Sequence, residues 1–270
     1  PCPNVEGDAY TVFTNRPSAG AMRGYGIPQA MWAGESHIDD VARALGREPM
    51  EYRRQIVMPK GYVDGFSKNE NYYDTFREVM DKGMVAIDYE RKRKEYENQT
   101  GPVRRGIGMA LFWYNTAVWP ISLESSSCRM VLNQDGSVQV QTGETEIGQG
   151  CDTAFAQMAA DAIGIPFEDV HIVSSQDTDV TPFGTGAYAS RQTYIGGFAL
   201  RQTGAILRDK ILTCAVELTR QMKENLDLED GKIVRQSDGR VLMTLGELAT
   251  EVLYSLEHSQ HITAESTYQI

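Results

Sequence analysis

Apolar side chains recur at helical spacing through the first third of the chain. Residues 28–45 carry apolar side chains three or four positions apart and are followed by Gly46, a pattern that predicts an amphipathic helix with a glycine C-cap. A short second helix is predicted over 49–55. Residues 71–98 mix apolar positions with many charges, which predicts one long or broken surface helix whose charge run is a solvated face.

The pattern changes to strands after residue 103. Alternating apolar positions at 128–132 and 137–141 flank the turn sequence Asn-Gln-Asp-Gly at 133–136, which predicts a β-hairpin. The second strand runs into a glycine-rich stretch at 143–150, and helical spacing resumes at 153–163 and stops at Gly164. A strand, a glycine loop and a helix are therefore predicted in that order.

Strands and helices continue in mixed order to the end of the chain. The patterns predict a strand at 167–173, a long helix at 193–226, a hairpin around 232–243 and a helix at 245–256. Residues 8–15 and 261–270 are strand-like at the two ends, so the sequence looks like a piece of a longer chain. We expect an α+β fold of mixed sheets and hairpins with packed helices, divided near 99–102 into regions 1–100 and 101–270.

The composition of the chain argues against some classes of binding partner. The chain has 270 residues, is 41% apolar and carries a net charge of −11, which would repel a nucleic acid. It lacks both the run of about 20 apolar residues that a membrane helix needs and a secretion signal, so we expect a cytoplasmic protein without a membrane partner.

The cysteines and histidines are scattered, which does not indicate a zinc or iron–sulfur site. We expect buried thiols, and we regard a metal pair at His258 and His261 as the weaker interpretation of that polar run. The cysteines are Cys2, Cys128, Cys151 and Cys214.

Three glycine-bearing segments each precede a predicted helix: residues 22–29 (Met-Arg-Gly-Tyr-Gly-Ile-Pro-Gln), 145–150 (Thr-Glu-Ile-Gly-Gln-Gly) and 184–191 (Gly-Thr-Gly-Ala-Tyr-Ala-Ser-Arg). Backbone N–H groups at a helix start attract anions, and glycine lets a ligand approach closely. Three such segments suggest one large anionic cofactor. Taken singly, each segment is more often an ordinary turn, and Tyr25 equally fits core packing.

Neither a phosphate-binding G-x-x-x-x-G-K-[ST] motif nor a dinucleotide G-x-G-x-x-G motif in a strand–helix setting is present. Gln149, between two glycines, would add an amide that both donates and accepts hydrogen bonds. Glu144 and Glu146 lie two apart and so on one face of an extended segment. An acid–base pair is one interpretation of these two carboxylates, and a solvated or helix-end role is the favoured one.

Residues 14–29, the Asp-Gly-Ser-Val at 135–138, and residues 145–150 and 187–191 resemble, in order and approximate spacing, the signature of the molybdopterin-binding subunit of xanthine dehydrogenases and related molybdenum hydroxylases. The resemblance spans residues 8–194. It implies a molybdenum-dependent oxidoreductase that hydroxylates an aromatic heterocycle or oxidises an aldehyde, with water as the source of oxygen. It also implies a molybdopterin cofactor, possibly in a dinucleotide form, with iron–sulfur clusters and FAD on partner domains or subunits.

The resemblance also implies roles for particular residues. Tyr25 would stack on the substrate, and Trp119 stands beside Val118, where the register places a second stacking aromatic. The main chain of Arg23 and Ala189 would lie near the molybdenum. The residues implied to bind the cofactor are Arg23, Gly24, Gly148, Gln149, Gly150, Ala189 and Ser190.

The family's general base is a glutamate with no counterpart before Ile270. We therefore expect the chain alone to be inactive, to hold little cofactor and to need the remainder of the molybdenum subunit. The substrate implied is a purine or a similar heterocycle. The alternatives are a related hydroxylase acting on an aldehyde or another azaheterocycle, and a non-catalytic binding or assembly module with the same scaffold.

Overall fold

The computed structural model describes residues 4, 6–65, 68–114, 116–118, 124–173, 177–255 and 259–270. The chain forms two compact units, 1–114 and 115–270. The assignment of regions 1–100 and 101–270 to two subdomains stays a prediction. No helix among the described residues is both long and apolar enough to cross a membrane.

The first unit is helical and contains α1 (Ile27–Ala44), α2 (Pro49–Ile56), α3 (Thr75–Ala86) and α4 (Tyr89–Glu95). The helices predicted at 28–45 and 49–55 are thereby confirmed. Gly46 follows α1, and its N–H donates to the carbonyl of Arg43. For residues 71–98 the sequence predicts one long helix or a broken one, and the structure has the broken one. Its two parts, α3 and α4, are separated at Asp88, which has a left-handed φ of 53°.

The strand predicted at 8–15 is wrong. These residues are exposed and form no regular structure, and no strand among the described residues pairs with them. A strand depends on the ladder hydrogen bonds of a neighbour, which side-chain composition alone cannot supply.

A buried ion network joins α1 to α2. The Arg53 side chain is 3% exposed; its Nε donates to Glu35 Oε2 at 2.8 Å and its Nη1 donates to Asp39 Oδ1 at 2.6 Å. Glu35 Oε2 also accepts the N–H of Leu111 at 2.8 Å. A cavity of about 500 Å³ lies beside this network and is otherwise lined mainly by apolar side chains, among them Trp32.

The described part of the second unit combines two sheets with three α-helices. The larger sheet has the order β3-β2-β1-β7, with β2 and β3 parallel and the other pairs antiparallel, and the smaller sheet has the antiparallel order β4-β5-β6. The elements in chain order are β1 (Ser125–Leu132), β2 (Val138–Thr142), α5 (Cys151–Ile163), β3 (Val170–Val173), α6 (Gly197–Thr219), β4 (Leu226–Glu229), β5 (Lys232–Arg235), β6 (Arg240–Thr244), α7 (Leu245–Tyr254) and β7 (Thr263–Gln269).

The core of this unit lies between the larger sheet and the helices. Alternate residues of β1 and β2, including Met130 and Val140, are fully buried together with Phe155 of α5. Helices α5 and α6 approach so closely that a Cβ added to Gly204 would lie 2.7 Å from the Cβ of Ala162. The predicted α+β class and the hairpin at 128–141 are therefore confirmed.

Two predicted elements in this unit have different bounds in the structure. The long helix predicted at 193–226 begins near the expected residue, as a π-helical turn at Gln192–Gly196 followed by α6, but it ends at Thr219 because Arg220 adopts a left-handed φ of 55°. The following segment is β4, whose Leu226 and Leu228 are buried and pair with β5. The strand predicted at 167–173 is a 3-10 turn followed by β3.

Candidate functional site

The second glycine segment connects the end of β2 to the start of α5, as predicted. Gly148 and Gly150 have φ values of 93° and 84°, which only glycine adopts without strain. A Cβ added at either position would meet no other atom within 4 Å. The loop thus presents bare main chain to open space at the N-terminal end of α5.

The N–H groups of this loop already bind an anion, which is the carboxylate of Glu146. Gly148 N and Gly150 N donate to Glu146 Oε1 at 2.6 and 3.1 Å, and Asp152 N donates to Oε2 at 3.1 Å. These bonds lower the pKa of Glu146 to about 2. Glu146 therefore has the helix-end role predicted from sequence, and it fixes the shape of the loop.

We expect this carboxylate to make the loop acid-sensitive. Its pKa is lowered in the folded chain, so its stabilising contribution is complete above about pH 4.5 and is lost as the pH falls through about 2. Glu146→Gln should lower the urea midpoint at pH 7 and show a smaller further loss between pH 4.5 and pH 2 than the wild type. The exposed Glu229→Gln is the control, and equal acid sensitivity in all three proteins would contradict the prediction.

The side chain of Gln149 joins the second glycine segment to Gln192, the residue that follows the third. Its Oε1 accepts the N–H of Ile147 at 2.6 Å, and its Nε2 donates to Thr145 O at 2.8 Å and to Gln192 Oε1 at 2.6 Å. Gln192 Nε2 donates in turn to Thr145 O at 2.7 Å. The sequence predicts that the Gln149 amide binds a ligand. In the structure this amide also links residues 145–150 to Gln192.

The third segment is a tight turn of main chain. Ala189 and Ser190 have consecutive left-handed φ values of 51° and 55°, and the carbonyl of Ala189 accepts the N–H of Ala117, itself at 68°. Left-handed backbone at non-glycine residues costs about 1–3 kcal/mol per residue and is concentrated at functional sites. In the same segment, the buried Oγ1 of Thr185 has no partner among the described residues.

Two glycines set how closely the second and third segments approach. A Cβ added to Gly143 would lie 2.3 Å from Gly184 N, and one added to Gly184 would lie 2.4 Å from Gly143 O. Both contacts are with backbone, which cannot yield as a flexible side chain does. The structure therefore brings residues 143–150 and 184–190 together, as expected of two parts of one site.

A fully buried guanidinium lies behind these two segments. Arg191 Nε donates to Glu124 Oε2 at 2.8 Å, and its Nη1 donates to Glu144 Oε1 and Oε2 at 2.7 and 2.9 Å. Its Nη2 donates to Ser125 O at 2.6 Å. Burial raises the pKa of Glu144, and Arg191 opposes that change. The solvated or helix-end role favoured for Glu144 is therefore wrong, because this carboxyl group is buried against Arg191. The sequence did not indicate the cluster because Glu124, Glu144 and Arg191 are far apart along the chain.

The first glycine segment lies in the other unit. Gly24, Tyr25 and Gly26 all have left-handed φ values, of 94°, 50° and 90°, immediately before α1. Tyr25 is 78% exposed, so the alternative that it packs in a core is wrong. Arg23 is also exposed. The participation of these residues in a common site with the other segments stays a prediction.

The remaining candidate residues are the cysteines, the histidine pair and Trp119. Cys128 and Cys151 are buried, as expected, and burial raises the pKa of each thiol to about 12. The ligand atoms of Glu146, Cys151 and Asp152 lie within 4.8 Å of one another, but Glu146 is already held by three N–H groups. Trp119, Cys2 and His258 lie outside the described residues.

Comparison with known proteins identifies relatives over nearly the whole chain. Two models described as molybdopterin cofactor-binding domain match residues 1–57 and 82–270. A putative xanthine dehydrogenase molybdenum-binding subunit of Escherichia coli (strain K12) is 43% identical over 258 residues, covering 95% of this chain and 34% of the relative. The nicotine 6-hydroxylase large subunit of Paenarthrobacter nicotinovorans is 28% identical over 84% of this chain and 29% of its own length.

A solved structure also matches the chain over most of its length. Quinoline 2-oxidoreductase from Pseudomonas putida 86 superimposes with a TM-score of 0.69 at 25% identity, covering 92% of this chain and 33% of that chain. This chain therefore spans about a third of the length of each of these three relatives.

Proposed function

From the premise that this chain belongs to the molybdopterin cofactor-binding domain family, we propose that it provides part of the pterin-binding site of a xanthine dehydrogenase-like enzyme. The observation that carries this proposal is the close approach of residues 143–150 and 184–190, which Gly143 and Gly184 permit and which the hydrogen bond of Gln149 to Gln192, just after the second stretch, reinforces. The proposed partners are the rest of the molybdenum subunit and domains or subunits that carry iron–sulfur clusters and FAD.

The space at the loop, rather than a set of free donors, fits a large cofactor. Gly148 and Gly150 leave open space in front of the main chain, while their N–H groups and the Nε2 of Gln149 already donate within the fold. The buried Oγ1 of Thr185 has no partner among the described residues. In this proposal Gly148, Gln149 and Gly150 hold the pterin. The turn at Ala189 and Ser190 would contribute to the same site, and the main chain of Arg23 and Gly24 is proposed as a further cofactor contact.

The chain itself would supply position and electrostatics. When bound, the cofactor supplies the redox chemistry, while the protein orients it and the substrate. The exposed ring of Tyr25 suits stacking on a flat heterocycle, with Trp119 proposed as a second aromatic contact. We assign no acid–base role to Glu144 or Glu146, because both carboxylates are engaged in hydrogen bonds within the fold.

We propose a purine as the substrate, because the 43% identical relative is a putative xanthine dehydrogenase subunit. The second candidate is another azaheterocycle, which the names of the nicotine and quinoline enzymes favour, or an aldehyde. Turnover of xanthine, nicotine, quinoline and benzaldehyde by the native complex tests this choice. Rapid aldehyde oxidation without purine oxidation would refute the purine assignment.

Molybdenum and pterin analysis of the same complex tests the more basic proposal. We expect both in stoichiometric amounts. A fully folded native complex that contains neither would instead support a non-catalytic binding or assembly module.

Gln149→Ala is expected to lower the molybdenum content of the native complex several-fold while changing its thermal stability little, because the side chain is exposed and shapes the loop rather than the core. Gln236→Ala is the matched control: it also removes an exposed amide that donates to a backbone carbonyl, but at β4. Unchanged molybdenum content in Gln149→Ala would contradict the assignment of this residue.

A further inference from the structure

We propose that Arg191 is a positioning residue that sets the placement of the two cofactor loops, 143–150 and 184–190, relative to each other. The inference rests on the proposed function of those loops. It assigns Arg191 no contact with cofactor or substrate; the residue acts through the segments that its guanidinium holds.

One guanidinium contacts parts of the chain that are distant in sequence. Besides its bonds to Glu124, Glu144 and Ser125 O, Arg191 Nη1 donates to Gly186 O at 3.1 Å. Glu124 Oε1 extends the network by accepting the N–H of Val118 at 2.7 Å. The network therefore ties the start of β1 and the residues before it to both loops.

The tied residues stand directly beside the predicted cofactor contacts. Glu144 precedes residues 145–150 in the chain, and Arg191 itself follows the left-handed turn of Ala189 and Ser190. Moving the guanidinium would move that turn and release Glu144 at the same time. The geometry of both loops therefore depends on the same buried group.

The side chains of this cluster are better suited to fixing the positions of the two loops than to stabilising the fold. Arg191, Glu124 and Glu144 have fully buried side chains, and two carboxyl groups share one guanidinium. Apolar residues of similar volume often stabilise a core as well as a buried ion cluster does. A planar fork of N–H groups, in contrast, fixes directions that the ammonium of a lysine cannot reproduce.

The test uses the full-length subunit in its native complex and compares Arg191→Lys with Arg208→Lys. Arg208 is the matched control because its guanidinium also bonds to carbonyls, those of Ile163 and Leu228, and to a carboxylate, but away from both loops. We expect Arg191→Lys to lower molybdenum and pterin per folded subunit about 10- to 100-fold, the range seen when outer partners of a metal site are removed. Arg208→Lys should retain both.

Hydrogen exchange provides a readout that does not depend on activity. Amides of residues 145–150 and 184–190 should exchange faster in Arg191→Lys than in the wild type, with no such change in Arg208→Lys. Full cofactor content and unchanged exchange in folded Arg191→Lys would overturn the inference.

A triple variant covers the case in which Arg191→Lys does not fold. Arg191→Met combined with Glu124→Gln and Glu144→Gln removes every charge of the cluster, so no carboxylate is left buried and unpaired. We expect this protein to fold and to lack cofactor. Full cofactor content would overturn the inference, as would failure of both Arg191 variants to fold while Arg208→Lys folds. A wild-type complex without molybdenum would refute the proposed function itself.

Discussion

Gly143→Ala is expected to lower the free energy of unfolding of the chain by at least about 3 kcal/mol, at the upper end of the range for overpacked sites. The added Cβ would lie 2.3 Å from Gly184 N and 2.4 Å from both Phe183 C and Pro182 O, all of which are backbone atoms. Relief requires the two segments to separate. The same change should therefore reduce molybdenum content in the native complex as well as stability.

Urea denaturation followed by circular dichroism measures the first effect. Gly148→Ala is the matched control, because its Cβ would meet open space and only the left-handed backbone at φ 93° opposes it. That conformation should cost about 1–2 kcal/mol. Equal losses in the two variants would mean that the close approach of Gly143 to Gly184 is not what limits this position.

Arg53→Met is expected to destabilise the chain by about 3–5 kcal/mol, the usual result of removing one partner from a buried ion network. The change would leave Glu35 and Asp39 without their guanidinium, with the Glu35 side chain only 13% exposed. Because these carboxylates belong to α1 and Arg53 to α2, the packing of the two helices should loosen.

Arg43→Met separates this burial effect from the loss of a positive charge. Arg43 also pairs with Asp39 from α1, but its side chain is 61% exposed, and exposed pairs contribute about 0–1 kcal/mol. Urea midpoints and hydrogen exchange in α1 and α2 measure both variants. A loss in Arg53→Met no larger than that in Arg43→Met would show that the network does not stabilise this unit.

Local sequence signals predict the elements that depend on local interactions. Helical spacing predicts α1 and α5, and the turn sequence at 133–136 predicts the hairpin of β1 and β2. Glycines just before helices predict the loops, because left-handed backbone at a helix start is a local requirement. The helix-end role of Glu146 is local as well, since its partners lie within six residues.

Features that depend on contacts between distant residues cannot be predicted from local sequence patterns. β4 looks like a continuation of α6, since its apolar residues alternate over only four positions and its partner β5 is a separate segment. The strand-like residues 8–15 form no strand, because no described strand pairs with them. Arg191 and Glu124 are 67 positions apart, so no spacing rule relates them.

The consecutive left-handed residues Ala189 and Ser190 have a consequence for directed evolution. Saturation mutagenesis at these two codons would yield mostly destabilised clones, because β-branched and bulky side chains are strongly disfavoured at positive φ. A restricted codon set that encodes glycine, asparagine and aspartate samples the tolerated backbone. The same restriction applies at Tyr25, whose ring is exposed but whose backbone also has a left-handed φ, of 50°.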